Sequence, residues 1–296
     1  MADFSDLAFA RLHRVTVDWA QAAGVELAVL RLDQVDPLIS GNKSYKLAGY
    51  WQQAQADGAR GLISLGGAHS NHLHALAAAG QRFGFRTVGL LRGEAQDTPT
   101  VQDLQAFGMQ LHWLGYSGYR ARHRADFWGP WLALYPQLFP VPEGGGGELG
   151  ARGCEVLVGQ VQAHLPWPDY HGWWLACGTG TTLAGLVRGE AGAHPVYGAL
   201  AVPPDHGVAE QVEALAGGQG YQLLDASRGG FGRVDGELLA FMVDCERQLG
   251  LLLEPLYTAK ALWALRDAIQ RGRFAAGTRM IFVHTGGLQG RRGFDL

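Results

Sequence analysis

Lysine is the scarce residue of this chain, and where it stands is the first chemical signal. The sequence holds three lysines against twenty-one arginines. Lys43 and Lys46 fall three residues apart in Gly41-Asn42-Lys43-Ser44-Tyr45-Lys46-Leu47, and Lys260 lies more than two hundred residues further on. Arginine supplies charge and forked hydrogen bonds but stays protonated, so it neither acts as a base nor attacks a carbonyl. Schiff-base chemistry needs a primary amine that can shed its proton. Two solvated loop charges would explain the pair equally well from these residues alone.

A phosphate cradle elsewhere would break that tie. Residues 170–176 read as a buried strand, and Cys177-Gly178-Thr179-Gly180-Thr181-Thr182-Leu183-Ala184-Gly185 follows it into a helix. At such a junction backbone amides converge, the helix dipole favours an anion, and the threonine hydroxyls can donate. No Gly-Lys-Ser/Thr follows, so this is not a Walker loop, and Leu183 stands where a dinucleotide fingerprint has its third glycine. A phosphate monoester fits best, with a plain turn as the alternative.

His69, His72 and His74 surround Ser70-Asn71. Zinc is the obvious ligand for a histidine cluster, but residues two apart diverge on a helix, and no metal is expected here. Taken alone, Ser70 reads as a helix N-cap and Asn71 as a turn residue. The neighbourhood lacks the Gly-x-Ser-x-Gly elbow of a nucleophilic serine hydrolase.

These groups must be held by strands and helices in alternation. Residues 25–32 are strand-like and run into the Asp36-Pro37 turn, and residues 44–55 favour helix. Lys43 is thereby placed at a helix N-terminal end, where the macrodipole disfavours an ammonium. Strands at 61–66, 87–91 and 110–114 alternate with helices at 71–83 and 98–107, the pattern of βαβ crossovers and a parallel sheet. One helix is predicted over 120–135, another over 154–164, and further core strands at 196–202, 220–224 and 280–284, the last running into Thr285-Gly286-Gly287. Leu256-Tyr257-Thr258-Ala259-Lys260 opens a helix continuing through residue 265. The glycine run at 142–150 is either an interdomain linker or a loop whose bare backbone approaches a ligand.

Composition narrows the partners. At 296 residues the chain suits two packed α/β units or one large one. A net charge of -3 with no basic block gives no footprint for nucleic acid or an anionic membrane. Glycine, at 44 residues, is about twice its usual share, which implies tight turns and close backbone approaches. Cys154, Cys177 and Cys245 show no Cys-x-x-Cys spacing, against a zinc ribbon or a disulfide scaffold. With Asp3 and Asp6 near the start and no membrane-length apolar run, a cytoplasmic protein acting on a small molecule is expected.

Five stretches together resemble a known family. Gly41-Asn42-Lys43-x-x-Lys46-Leu47, Gly66-Gly67-x-x-Ser70-Asn71-His72, the Gly178-Thr179-Gly180-Thr181-Thr182 turn with Ala184-Gly185, Tyr257-Thr258-Ala259-Lys260 and His284-Thr285-Gly286-Gly287 are similar, in order, to the pyridoxal-phosphate enzymes comprising 1-aminocyclopropane-1-carboxylate deaminase and D-cysteine desulfhydrase. The resemblance implies a two-domain α/β fold of the tryptophan-synthase-β type (fold type II) and a homodimer. Residues 1–47 and 156–296 would form the large cofactor-binding domain and 48–155 the small one. It implies that Lys43 forms the Schiff base with pyridoxal phosphate and moves the Cα proton. Lys46 and the Gly178, Thr179, Gly180, Thr181 and Thr182 turn would hold the phosphate. Asn71 would lie beside the ring's 3′ oxygen, Ser70 and His72 would contact the substrate carboxylate or relay protons, Tyr257 would approach the substrate, and Thr258 or Thr285 would meet the pyridine nitrogen.

Deaminases of that family resemble one another in a glutamate after the tyrosine, which can keep the ring nitrogen protonated, and in a glutamine at the position of His72. This chain has Thr258 and His72, the desulfhydrase-like pair. The resemblance therefore implies a lyase that removes the Cα proton and expels a β-substituent, with D-cysteine giving pyruvate, ammonia and hydrogen sulfide. A ring-opening deaminase and a non-catalytic carrier of pyridoxal phosphate are the alternatives. Ser40 stands where the family has a glycine, Tyr45 where it has arginine, and Phe231 where a substrate-facing tyrosine is expected.

Overall fold

The computed structural model describes residues 3–294. Among the described residues ten strands run in chain order: β1 Arg11–Val15, β2 Glu26–Arg31, β3 Gly61–Gly66, β4 Arg86–Leu91, β5 Gln110–Trp113, β6 Leu138–Pro140, β7 Gly172–Cys177, β8 Val196–Leu200, β9 Tyr221–Asp225 and β10 Arg279–His284. They form a four-stranded sheet, β5-β4-β3-β6, and a six-stranded sheet, β1-β2-β10-β7-β8-β9. Every pairing is parallel except β1 with β2. Helices cover both faces, which is why β3 and β7 are buried at every residue and read as unbroken apolar runs. Among the described residues no helix is long and apolar enough to cross a membrane.

The two sheets belong to two compact units. One comprises Asp36–Gly153 with the segments up to Leu7 and from Gln289; the other comprises Ala8–Val35 and Cys154–Leu288. The expected division at 47/48 and 155/156, with both chain ends in the large domain, is corrected here. The helix carrying both lysines, Asn42–Ala56, belongs with the four-stranded sheet, because its Leu47, Tyr50, Trp51 and Ala54 bury into the same core as Leu62 and Leu76. The chain ends follow for local reasons: Phe4 packs on Phe83 at 5.0 Å between ring centroids, and Arg292 pairs with Asp103.

Most expected elements are present within one or two residues. The single helix predicted over 120–135 is not. It is broken into Gly115–Arg120, a short 3-10 turn and Trp128–Leu134. Pro130 is the cause: it has no N–H to bond back to residue 126, so it is tolerated only in the first turn of a new helix.

Some of the glycine excess is explained by one helix crossing. A Cβ on Gly49 would stand 2.1 Å from the Leu149 carbonyl oxygen, and one on Gly153 would stand 2.1 Å from that of Tyr45. Helix Glu148–Gln162 thus lies backbone to backbone on the lysine helix. Gly153→Ala is expected to cost about 3 kcal/mol, the upper end for overpacking, because the obstacle is rigid backbone. The denaturant midpoint measures it, and an unchanged midpoint would show that the helices can part.

Candidate functional site

In the first unit the site begins at the lysine helix. Gly41 caps it with φ 77°, a left-handed conformation that a side chain resists. Lys43 is therefore the second residue of the helix, at the N-terminal end as expected. Its Nζ donates to the Gly144 carbonyl at 3.1 Å, and Lys46 Nζ reaches the same oxygen at 3.5 Å. Lys46 is buried.

The carbonyl they share belongs to the glycine run, which is no spacer. Gly144, Gly145 and Gly147 all have φ between 68° and 89°, and the Tyr50 hydroxyl donates to the Gly146 carbonyl. A Cβ on Gly145 would stand 3.1 Å from Lys46 Cβ and 3.4 Å from His72 Cε1. The run lies within the first unit, and its backbone packs against the side chains of Lys46 and His72.

The next strand brings the serine, asparagine and histidine. β3 ends at Gly66, where a Cβ would meet Ser70 Oγ at 2.5 Å, so the turn closes tightly on helix Asn71–Phe83. Ser70 Oγ caps that helix by accepting from Leu73 N at 3.1 Å, and its own proton stays available to donate. Asn71 Oδ1 is buried without a hydrogen-bond partner in the protein. The three histidines part company. His69 is exposed, His74 faces Asp103 at 3.2 Å, and His72 Nε2 meets Ser64 Oγ at 2.8 Å. Burial and the charges of Lys43 and Lys46 hold the His72 ring well below the usual histidine range, so it is neutral.

The second unit holds the glycine and threonine turn. β7 ends at Cys177, and helix Thr181–Glu190 starts three residues beyond the turn's first glycine. Gly180 caps it with φ 70° and offers the first-turn amides no side-chain oxygen. A Cβ there would strike Val212 Cγ2 at 2.4 Å. Thr179 and Thr181 hydroxyls lie 3.0 Å apart, and Thr181 and Thr182 are buried. The arrangement is a polarised helix start with hydroxyls beside it, which is chemically suited to an anion.

Tyr257 and Thr258 open helix Thr258–Gln270. Tyr257 packs against Phe231 at 5.3 Å between centroids, and a Cβ on Gly178 would stand 3.0 Å from its ring. The Thr258 hydroxyl is fully buried, donates to the Glu254 carbonyl and accepts from Glu254 N. Its one proton is spent on that carbonyl, so the Thr258 hydroxyl has none left to donate elsewhere. Thr285 follows β10, in a turn stiffened by His284, whose Nε2 donates to Leu252 O while Nδ1 accepts from Gly286 N.

Glu254 escaped the sequence reading, and Lys260 was given no role by it. Glu254 is buried and accepts from the amides of Leu256, Tyr257 and Thr258, seating the Tyr257 turn. Lys260 is buried with its Nζ donating to the carbonyls of Ser227, Gly230 and Phe231. All three of its N–H donors are engaged, so the rare third lysine has a structural use.

A sequence model described as pyridoxal-phosphate dependent enzyme matches residues 11–286. D-cysteine desulfhydrase of Klebsiella pneumoniae is 27% identical over 286 residues, which cover 89% of this chain and 87% of that protein. The bifunctional D-cysteine desulfhydrase/1-aminocyclopropane-1-carboxylate deaminase of Arabidopsis thaliana is 26% identical over 299 residues, covering 90% of this chain and 73% of the relative. Among solved structures, an ACC deaminase homologue shares the fold at a TM-score of 0.81 and 23% identity, over 96% of this chain and 91% of the other.

Proposed function

The chain belongs to the pyridoxal-phosphate-dependent enzyme family, and from that premise we propose that it is a lyase of small amino acids with D-cysteine as substrate, giving pyruvate, ammonia and hydrogen sulfide. Its residues fit the cofactor, with the helix start and threonine hydroxyls at Gly178-Thr179-Gly180-Thr181-Thr182 for the phosphate and the Asn71 amide, which donates through Nδ2, for the ring's 3′ oxygen. When bound, pyridoxal phosphate supplies an aldehyde that condenses with amines and a ring that accepts electrons from Cα. Lys43 supplies the amine that condenses and later takes the Cα proton. Lys46 adds positive charge for the phosphate. Ser70, which keeps its proton after capping, donates to the substrate carboxylate, and Tyr257 stands by the substrate's side chain.

The observation that carries the substrate reading is the residue after Tyr257. A carboxylate there would hold the ring nitrogen protonated and deepen the electron sink. Thr258 is neutral, and the nearby Glu254 carboxylate is taken up by three backbone amides. Thr285 is left to face the nitrogen with a hydroxyl. That is enough to release a Cα proton when the β-substituent is a good leaving group such as thiolate, and a poor match to opening a cyclopropane.

Purified protein loaded with pyridoxal phosphate is expected to release sulfide and pyruvate from D-cysteine, and little 2-oxobutyrate from 1-aminocyclopropane-1-carboxylate. Borohydride reduction should leave the pyridoxyl label on Lys43. Absence of sulfide with abundant 2-oxobutyrate would replace the desulfhydrase by the deaminase, and a label on another lysine would remove Lys43 from its role.

A further inference from the structure

Ser64 has no assigned role, yet it is the one polar side chain in the middle of β3, fully buried, with two partners. Its hydroxyl lies 2.8 Å from the Val141 carbonyl oxygen and 2.8 Å from His72 Nε2. A carbonyl can only accept, and a serine hydroxyl has one hydrogen. That hydrogen goes to Val141, so Ser64 Oγ faces His72 as an acceptor and Nε2 must carry the proton. The ring is neutral, so Nδ1 is left as a bare lone pair. It is buried and has no hydrogen-bond partner in the protein.

We propose that Ser64 is a positioning residue that locks His72 in the Nε2–H tautomer, making Nδ1 an obligate hydrogen-bond acceptor for a proton-bearing group of the substrate, its amine or its thiol. This rests on the reading above that His72 faces the substrate, and it decides between the two roles open to that residue. A lone pair repels a carboxylate oxygen, so His72 is not the carboxylate clamp. With no proton on Nδ1 it is not the acid that protonates a leaving thiolate either. It holds a donor in place, and carboxylate binding falls to Ser70, which has a hydrogen to give. Burial of the ring beside Lys43 and Lys46 acts in the same direction by opposing a second proton.

The test combines side-chain ¹⁵N NMR of histidine-labelled full-length protein with steady-state kinetics. The His72 signals are identified by their loss in His72→Asn. The wild type is expected to show His72 with protonated Nε2 and bare Nδ1. Ser64→Ala should mix the tautomers and lower kcat about tenfold, the worth of one hydrogen bond, with KM within about twofold. Ser64→Thr, which keeps the hydroxyl, should restore both readouts. β-Chloro-D-alanine, which has no β-proton donor, separates the two sources: a thiol contact spares it from the Ser64→Ala defect, and an amine contact does not.

A protonated Nδ1 in the wild type overturns the proposal. So does a rise in KM without a fall in kcat, which would mark a carboxylate contact. If the wild type turns over no amino acid at all, the lyase reading fails, and the NMR signature still decides the tautomer lock.

Discussion

Lys43→Ala is expected to lose turnover by roughly a thousandfold or more while the protein keeps much of its affinity for pyridoxal phosphate. The amine is needed twice, to condense with the aldehyde and to carry the Cα proton, so its removal strikes both events. Lys43→Arg should be as inactive, since a guanidinium does neither. Affinity survives because the anion cradle is built from the turn at Gly180 and owes nothing to Lys43. The visible spectrum on adding cofactor should shift from that of a protein-bound Schiff base toward that of the free aldehyde, and kcat should fall with it. Residual turnover within about tenfold of the wild type would exclude Lys43 as the reactive amine. A wild type with no turnover and a Lys43→Ala variant of equal affinity would point to a carrier of the vitamin phosphate.

What could be read in advance was whatever lies along one stretch of chain. β3 and the helix Asn71–Phe83 were legible to the residue, the first because a strand covered on both faces is a continuous apolar run, the second because Ser70 and Gly84 mark its ends. β1 was not, since an antiparallel edge of Arg11–Val15 alternates too weakly between buried and exposed. Nor was β6, whose three residues end in Pro140. Gly236–Leu249 lies outside the elements read from sequence, although Asp235 accepts from Leu238 N at its start and Gly250 closes it with φ 63°. The site divides in the same way. Lys43, Ser70-Asn71-His72 and the Gly178 turn announce themselves by composition. Ser64, the Gly144 carbonyl and the carbonyls around Lys260 act through partners distant in sequence, and no spacing reveals them, whereas Glu254 holds the amides of Leu256, Tyr257 and Thr258 just ahead of it. Ser64 had one signal, a hydroxyl set among Leu62, Ile63 and Leu65. For Thr258 the helix start itself changed the reading, because its hydroxyl turned back on Glu254.

Lys260→Met carries the largest stability effect expected in the second unit. The ammonium sits at 1% exposure and donates at 3.0, 2.9 and 2.8 Å to Ser227, Gly230 and Phe231, gathering the loop that sets Phe231 against Tyr257. Methionine matches the stem and leaves those carbonyls without donors, a loss of about 3 kcal/mol. Lys260→Arg should not restore it. Three carbonyls converging on one atom suit a tetrahedral ammonium, whereas a guanidinium fork donates in a single plane and needs more room. The loss should also depend on pH. Burial raises the Glu254 carboxyl from 4.5 to about 7, and the charge of Lys260 is among the groups that pull it back. A carboxyl raised by folding keeps its proton where the unfolded chain has released it, so its contribution to stability is present below the unfolded value and is lost as pH climbs toward the folded one. Removing Lys260 raises Glu254 further and enlarges that loss. Lys260→Met should therefore cost more near pH ~7.5, where Glu254 must ionise, than near pH ~5, where it is protonated in both proteins. Urea midpoints at the two pH values measure the difference. Equal losses at both would show that Glu254 does not sense Lys260, and a fully stable arginine variant would show that the three-way donation is not what the site requires.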